Sequence, residues 1–405
     1  MDRGAGVGSS AVVGCGGSSG DGPSPDAQPS TDGGDLRPSD AGDAGGVDAT
    51  LGDGGRGDGG AGDAAAPEEA TVEAGDAAAN DADSDAPSLP VLEAGACGDP
   101  FGGGPLTTSS THLDIGVHDP SMIWDGYRYF LFATGGTLNV RSSADILTWT
   151  DAGNIFASIP AWVTTTLGAN PGSLWAPDIS YFGGTFRVYY AGSTFGSNTS
   201  VIGLATNTNL ESGSWVDQGL VMQSTSADDF NAIDPNVSFD QNCTPWLAFG
   251  SFWSGIKLRK LDATTGMPAT DDVTTYSLAS RDGGAIEAAS IVSHNGFYYL
   301  FVSFDACCQG VNSTYRTMVG RGTSITGPYA DMAGTDMMDG AAEQLLATAG
   351  RYIGPGGGTA WKDGDTYLYV YHYYDGEGGG ASKLQIRPIV FGPDDWPTLS
   401  DPLFP

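Results

Sequence analysis

Three acids head short apolar runs: Asp119 in "HDPSMIW", Asp234 in "AIDPNVSF" and Glu287 in "AIEAASIV". Such runs form buried strands, where an isolated carboxylate is costly unless it is paired or protonated. Asp before Pro is common at turns, so each acid alone reads equally well as a turn residue. What groups them is that they recur at one place in a repeat. Carboxylates brought together cannot all ionise as they would in water. Repulsion and partial desolvation raise at least one pKa, which leaves a proton donor beside a proton acceptor. Cleavage of a glycosidic bond needs such a pair: one acid protonates the leaving oxygen, and one carboxylate attacks the sugar or activates a water. Acid–base positioning of this kind contributes typically about 10² to 10⁴ in rate.

The elements that must position these acids are strands. Five turns each join two runs rich in aromatic and β-branched residues: "WDGYRYFLFAT" from Trp124, "YFGGTFRVYYAG" from Tyr181, "FDQNCTPWLAFG" from Phe239, "SHNGFYYLFVSF" from Ser293 and "WKDGDTYLYVYHYY" from Trp361. Each reads as a β-hairpin with a Gly, Asn or Asp turn. The entering strands are themselves similar, and aligning them equates Asp119, Ala176, Asp234, Glu287 and Gly357, at spacings of 57, 58, 53 and 70 residues. Five copies of a multi-strand unit predict an all-β fold, a five-bladed β-propeller. There the innermost strand of every blade lines a central channel, and equivalent positions on distant blades converge.

Composition separates this domain from what precedes it. No Phe, Trp or Tyr occurs before Phe101, and residues 1–100 carry 20 acidic against 3 basic side chains. A segment of that kind buries too little apolar surface to offset its ordering entropy. Residues 16–100 are therefore expected to be a disordered Gly/Ala/Asp-rich tether, with the propeller at 101–405. The domain is itself acidic, 29 acidic against 13 basic residues, which argues against nucleic acid and anionic membranes as partners and leaves a neutral sugar compatible. Within 1–15, "VVGC" ending at Cys15 has the residue order of a bacterial lipoprotein processing site. The eleven residues before it are short for a signal peptide, so either the natural start lies upstream or the match is chance. Lipidation at Cys15 would make the protein a cell-surface lipoprotein of a bacterium; export without it would make it extracellular. No apolar run is long enough for a membrane-spanning helix. Cys97 and Cys243 either pair or stay free, and the adjacent Cys307 and Cys308 are either a vicinal disulfide or two thiols.

The segments "HDPS", "WAPD", "AIDPNV", "GSFWSGIKL", "IEAAS", "NSTYRTMVGRGTSITGPY" and "YHYYDGEGGGASKLQIRP" together resemble glycoside hydrolase family 43, in particular its endo-α-1,5-L-arabinanases, over about residues 107–400. The resemblance implies a five-bladed propeller acting as a monomer on arabinan, the side chain of pectin, or on arabino-oligosaccharides. It implies an inverting mechanism with Asp119 as general base, Glu287 as general acid, and Asp234 raising the pKa of Glu287 and holding it in place. It also implies sugar contacts by Trp175 and Phe195, which would border the subsite before the cut, and by Gly196, Asn231, Ala232, Ile233, Ser251, Phe252 and Trp253. His118, beside Asp119, is expected to shape the site by hydrogen bonding. Relatives commonly hold a channel metal, usually calcium, with a His after Gly-Pro-Gly in the fifth blade. Gly357 stands at that place here, so this ligand is missing. His372 is the remaining candidate, although a lone His in an aromatic strand is more often a packed core residue. The chemistry itself requires no cofactor.

Two other readings share these residues. The same fold and acids serve exo-acting arabinofuranosidases and β-xylosidases, which differ in loops that block one end of the cleft. A sugar-binding propeller without catalysis is the other, and it gains nothing from three acids at one register.

Overall fold

The computed structural model describes residues 97–98, 101–210 and 213–405. The expected processing site at Cys15 and the expected tether, 16–100, lie outside the described residues apart from Cys97 and Gly98.

Among the described residues, twenty strands form five four-stranded antiparallel sheets, each built from consecutive strands. Blade 1 is β1 (Ser121–Trp124), β2 (Tyr129–Ala133), β3 (Asn139–Ser143) and β4 (Thr150–Asn154). A short helix, α1 (Ala161–Leu167), leads to blade 2: β5 (Trp175–Phe182), β6 (Thr185–Gly192), β7 (Ser200–Asn207) and β8 (Val216–Ser224). Blade 3 is β9 (Asn236–Phe239), β10 (Pro245–Phe249), β11 (Ile256–Lys260) and β12 (Tyr276–Ala279). Blade 4 is β13 (Ile286–His294), β14 (Phe297–Phe304), β15 (Arg316–Gly322) and β16 (Glu343–Leu346). Blade 5 is β17 (Tyr352–Asp363), β18 (Thr366–Asp375), β19 (Ala381–Phe391) and β20 (Pro397–Leu399). The innermost strands β1, β5, β9, β13 and β17 touch in that cyclic order, and β17 returns to β1. The five-bladed propeller expected from the repeats is the fold.

The sequence explains why the blades stack. Every residue of β5 and all but the first of β6 is buried, so these strands read as near-continuous apolar runs. Both of their faces are covered by neighbouring sheets. Outer β4 (TDAGN) and β8 (VDQGLVMQS) are largely exposed, with acids and glycines that make an edge a poor template for further pairing. One apolar cluster fills each blade interface: Ile123, Phe132 and Val188 between blades 1 and 2, Tyr189, Leu204 and Phe249 between 2 and 3, and Leu258, Leu300 and Val302 between 3 and 4. Phe301, Tyr369 and Tyr371 pack between 4 and 5, and Leu368, Ile386 and Leu131 close 5 against 1.

A hydrogen-bonded belt stitches the channel wall two residues along each inner strand. Ser121 Oγ donates to Asp178 Oδ1 at 3.3 Å, and Asn236 Nδ2 donates to the same oxygen at 2.9 Å. The Ile291 amide donates to Asn236 Oδ1 at 3.1 Å, the Ala360 amide to Ser290 Oγ at 2.9 Å, and Thr359 Oγ1 to the Pro120 carbonyl at 3.2 Å, which completes the circle. Burial pushes Asp178 up to about 7, against three donors that favour its carboxylate.

The backbone corrects the repeat register in blade 4. Asp119, Ala176, Asp234, Ala288 and Gly357 all hold φ between +42° and +56°, a left-handed conformation that side chains other than Gly adopt at a cost. Ala288, not Glu287, is thus the structural equivalent of the two aspartates. Glu287 lies one residue earlier, paired with Ser303 of β14 just before a bulge, and its extra methylene reaches from that position.

Both cysteine questions close in favour of bridges: Cys97 pairs with Cys243, and Cys307 with Cys308.

Candidate active site

The acid-bearing ends of the inner strands meet at one mouth of the channel. Asp119 is fixed by three neighbours. Thr134 Oγ1 donates to its Oδ2 at 2.7 Å, His118 Nδ1 meets the same oxygen at 2.8 Å, and its backbone N–H donates to His372 Nδ1 at 3.1 Å. That last bond places the His372 proton on Nε2, which faces Tyr374 Oη at 3.3 Å. Tyr374 Oη also accepts from the Cys308 amide at 2.7 Å and meets His118 Nε2 at 2.9 Å. From its other ring nitrogen, Nδ1, His118 donates to the Asp119 carboxylate. Burial alone would raise the Asp119 carboxyl. The charge and hydrogen bond of His118, with help from His372 and Thr134, outweigh it and hold the group below its ordinary value. Burial and the adjacent His118 keep His372 well below the usual imidazole range.

Glu287 and Asp234 sit in the opposite electrostatic setting. Burial pushes Glu287 up, although Ser251 Oγ donates to its Oε2 at 2.6 Å and Tyr315 Oη donates to its Oε1. Burial, then the charges of Glu287 and Asp119, push Asp234 well above its ordinary value, and its one opposing donor is the Ala288 amide at 3.0 Å. Both carboxyls are thus pushed toward their protonated forms. The site therefore holds a carboxylate at Asp119 and an available proton on the Asp234–Glu287 side.

The expected sugar-facing residues divide into two groups. Trp175 and the half-exposed Phe195 pack as tilted rings with centroids 5.3 Å apart, and Trp175 clusters with Ala176 and Ile233. Gly196 is exposed beside Phe195 at φ +72°. Ser251, Phe252 and Trp253 form the loop after β10, where the Phe252 amide donates to the Ile286 carbonyl at 2.8 Å and the Gly250 amide to Ile233 at 2.9 Å. Phe252 and Trp253 both carry positive φ. Asn231 and Ala232 are turned inward: Asn231 Oδ1 accepts from Ser200 Oγ at 2.6 Å, and Ala232 is fully buried in the interface of blades 2 and 3.

The profile of glycosyl hydrolases family 43 matches residues 113–397. The chain belongs to this family. It is 44% identical over 288 residues to an extracellular endo-α-(1→5)-L-arabinanase of Bacillus subtilis, covering 70% of this chain and 87% of that protein. It is 37% identical over 304 residues to an extracellular exo-α-(1→5)-L-arabinofuranosidase of Cellvibrio japonicus, covering 71% and 87%. Among solved structures, the family 43 endo-arabinanase of Bacillus licheniformis superposes with a TM-score of 0.68 at 46% identity, covering 71% of this chain and 99% of that one. A Cellvibrio cellulosa α-L-arabinanase complexed with arabinohexaose matches with a TM-score of 0.68 at 36% identity, covering 71% and 96%.

In this family 43 glycoside hydrolase, Gly357 packs tightly against His372. A Cβ built on Gly357 would lie 2.5 Å from His372 Cε1 and 2.7 Å from Asp119 Oδ1, so the His372 imidazole occupies the space a side chain at 357 would need. His118, Asp119 and His372 bring ligand-type atoms within 4.8 Å of one another. Calcium takes six to eight oxygen ligands, whereas this group offers two imidazoles and one carboxylate, and both nitrogens of His372 already face partners. The residues present do not fit calcium. Thr134, Tyr315 and Tyr374 are additions to the expected site. Only Tyr315 and Tyr374 fall in motifs that carry the family resemblance, "NSTYRTM" and "YHYYD".

Proposed function

We propose that this family 43 protein is an extracellular endo-acting hydrolase that cuts α-1,5-L-arabinofuranosidic bonds within arabinan with inversion. Asp119 is the general base that holds the attacking water, Glu287 is the general acid that protonates the leaving oxygen, and Asp234 keeps the proton on the Glu287 side. The observation that carries the reading is the split between the acids: Asp119 is held down by His118 and Thr134, while Glu287 is pushed up by burial and by Asp119, and Asp234 by burial, Glu287 and Asp119. That split is the charge state an inverting pair needs before reaction. Trp175 and Phe195 offer apolar ring faces beside the acids, and the Ser251–Trp253 loop borders Glu287. The substrate reading rests on the arabinanase relatives, as does the extracellular one; Cys15 adds the lipoprotein form. The protein works as a monomer with carboxylates alone, without a metal in the chemical step.

Relatives with exo action are also near, including an exo-1,5-α-L-arabinanase from a bovine ruminal metagenomic library at 40% identity, so the test resolves products over time. Linear arabinan should give mixed oligosaccharides first, with the inverted anomer by NMR. Monomer alone from the first minutes would replace endo with exo action. Glu287→Gln should abolish hydrolysis and leave oligosaccharide binding intact, and undiminished activity would remove Glu287 from the mechanism.

A further inference from the structure

The loop between β14 and β15 carries the adjacent Cys307–Cys308 bridge to the edge of the site. The loop is closed at its neck, where the Thr314 amide donates to the Ala306 carbonyl at 2.8 Å and the Ala306 amide to Thr314 Oγ1 at 3.1 Å. A second tie crosses it further out, from the Gln309 amide to Ser313 Oγ at 3.0 Å. The two cysteines lie between these ties. Cys307 is buried, and it packs in one cluster with Cys308, Tyr315, Tyr374 and Ile353.

The two tyrosines of that cluster serve acids of opposite charge state. Tyr315, the residue after the neck, donates from its hydroxyl to Glu287 Oε1. Tyr374 Oη meets His118 Nε2 at 2.9 Å, and His118 holds Asp119. Cys308 touches this second chain directly. Its amide donates to Tyr374 Oη at 2.7 Å, and its Sγ stands 3.7 Å from the same oxygen and 3.6 Å from His118 Nε2. Cys308 holds φ +63°, a left-handed conformation that a residue with a side chain adopts at a cost. Such a residue persists where its surroundings over-determine it. Here the covalent ring through both side chains and the 307–308 peptide limits the conformations open to that backbone, and the amide stays aimed at the phenol.

We propose that Cys307 and Cys308 are positioning residues for the reaction. Their bridge is a wedge between Tyr374 and Tyr315, so one covalent ring sets the place of the base, through His118, together with that of the acid. This rests on the roles proposed above for Asp119 and Glu287. Opening the ring lets residues 307 and 308 relax, and both phenols lose the surface that seats them. A misplacement of about 1 Å in such a site costs on the order of 100-fold in rate.

The test is a mutant cycle in the full chain. Cys307→Ser/Cys308→Ser should lower kcat on linear arabinan about 10- to 100-fold, with KM changed less than about 2-fold. In a Tyr315→Phe/Tyr374→Phe background, where both hydroxyls are already gone, the same serines should cost less than about 2-fold more. A bridge that merely stiffens the fold would cost the same in both backgrounds, and that result would overturn the proposal, as would undiminished kcat in the serine variant. If the serine variant does not fold, a folded Cys97→Ser/Cys243→Ser chain is treated with a small dithiol instead. The dithiol passes two electrons and two protons to the 307–308 bridge and itself becomes a disulfide. The loss in kcat should match the factor above and reverse on reoxidation; full activity with the bridge shown open by mass spectrometry would overturn the proposal. One readout is independent of arabinan. The Cys308 amide should exchange with deuterium about 10-fold faster in Tyr374→Phe than in the unmodified chain, and unchanged exchange would overturn the link whatever the site cuts. A chain inactive on arabinan whose Cys308 amide does respond would overturn the function proposed above and leave the seating of Tyr374 supported.

Discussion

Tyr374 joins more of the site than any acid does, since both histidines and the Cys308 amide meet at its oxygen. Through His118 it is linked to the carboxylate of Asp119. Tyr374→Phe removes that link without changing shape. The variant should lose about 10-fold in kcat, the worth of one hydrogen bond, with KM little changed. In the proposed mechanism Asp119 must be ionised to act as base, and His118 holds it down. Loosening His118 therefore raises Asp119, so the acidic limb of the pH–rate profile should move to higher pH. The opposite limb belongs to the proton shared by Asp234 and Glu287. Asp234→Asn removes the neighbouring charge, Glu287 then gives up its proton more easily, and the alkaline limb should move to lower pH; an unmoved limb would detach Asp234 from that titration. Steady-state profiles of kcat/KM check both. The three acids were legible because each heads a repeated strand. Tyr374 and Thr134 were not, because Tyr374 lies on the second strand of blade 5, Thr134 just past that of blade 1, and both reach Asp119 only through the fold.

At the level of the strand, the decisive feature is the left-handed residue that opens each inner strand, in three of the five blades beside a bulge against the next strand. In blade 5 this residue is Gly357, and the close approach of His372 leaves no room for more. Gly357→Ala should strain the backbone and displace His372 or Asp119, with a cost of about 1–3 kcal/mol. Thermal unfolding should show a lowered Tm, and activity should fall with it; an unchanged Tm would mean that His372 has room to move. The same bulges explain why the repeat alignment placed Glu287 one residue off. A bulge adds a residue that pairs with nothing, and spacing counted along the chain cannot tell an inserted residue from a shifted one. The hairpin turns, with their Gly and Asn signals, gave the five blades without that ambiguity.

For the whole molecule the question is closure. Each sheet uses consecutive strands, so among the described residues no strand from one chain end completes a blade from the other. Blades 1 and 5 are held instead by the belt, by their apolar interface, and by the segment before β1. There the Leu384 amide donates to Ile115 at 2.9 Å, the Ser109 amide to Leu403 at 2.8 Å, and Gly116 bridges Lys383. The Cys97–Cys243 bridge, between residues 146 positions apart, ties the start of that segment to blade 3. Replacing both cysteines by Ser should cost about 2–5 kcal/mol and lower Tm by roughly 5–15 °C, with activity at low temperature unchanged; a calorimetric scan beside an arabinan assay separates the two. Composition marked where the domain begins, but the pairing of Cys97 across three blades depends on ring geometry that no spacing encodes. That bridge also fixes an orientation. Cys97 lines the channel end away from the acids, so a support coupled directly beside that bridge stands off the acid-bearing face. Immobilisation from that end is the geometry that leaves the cleft unobstructed.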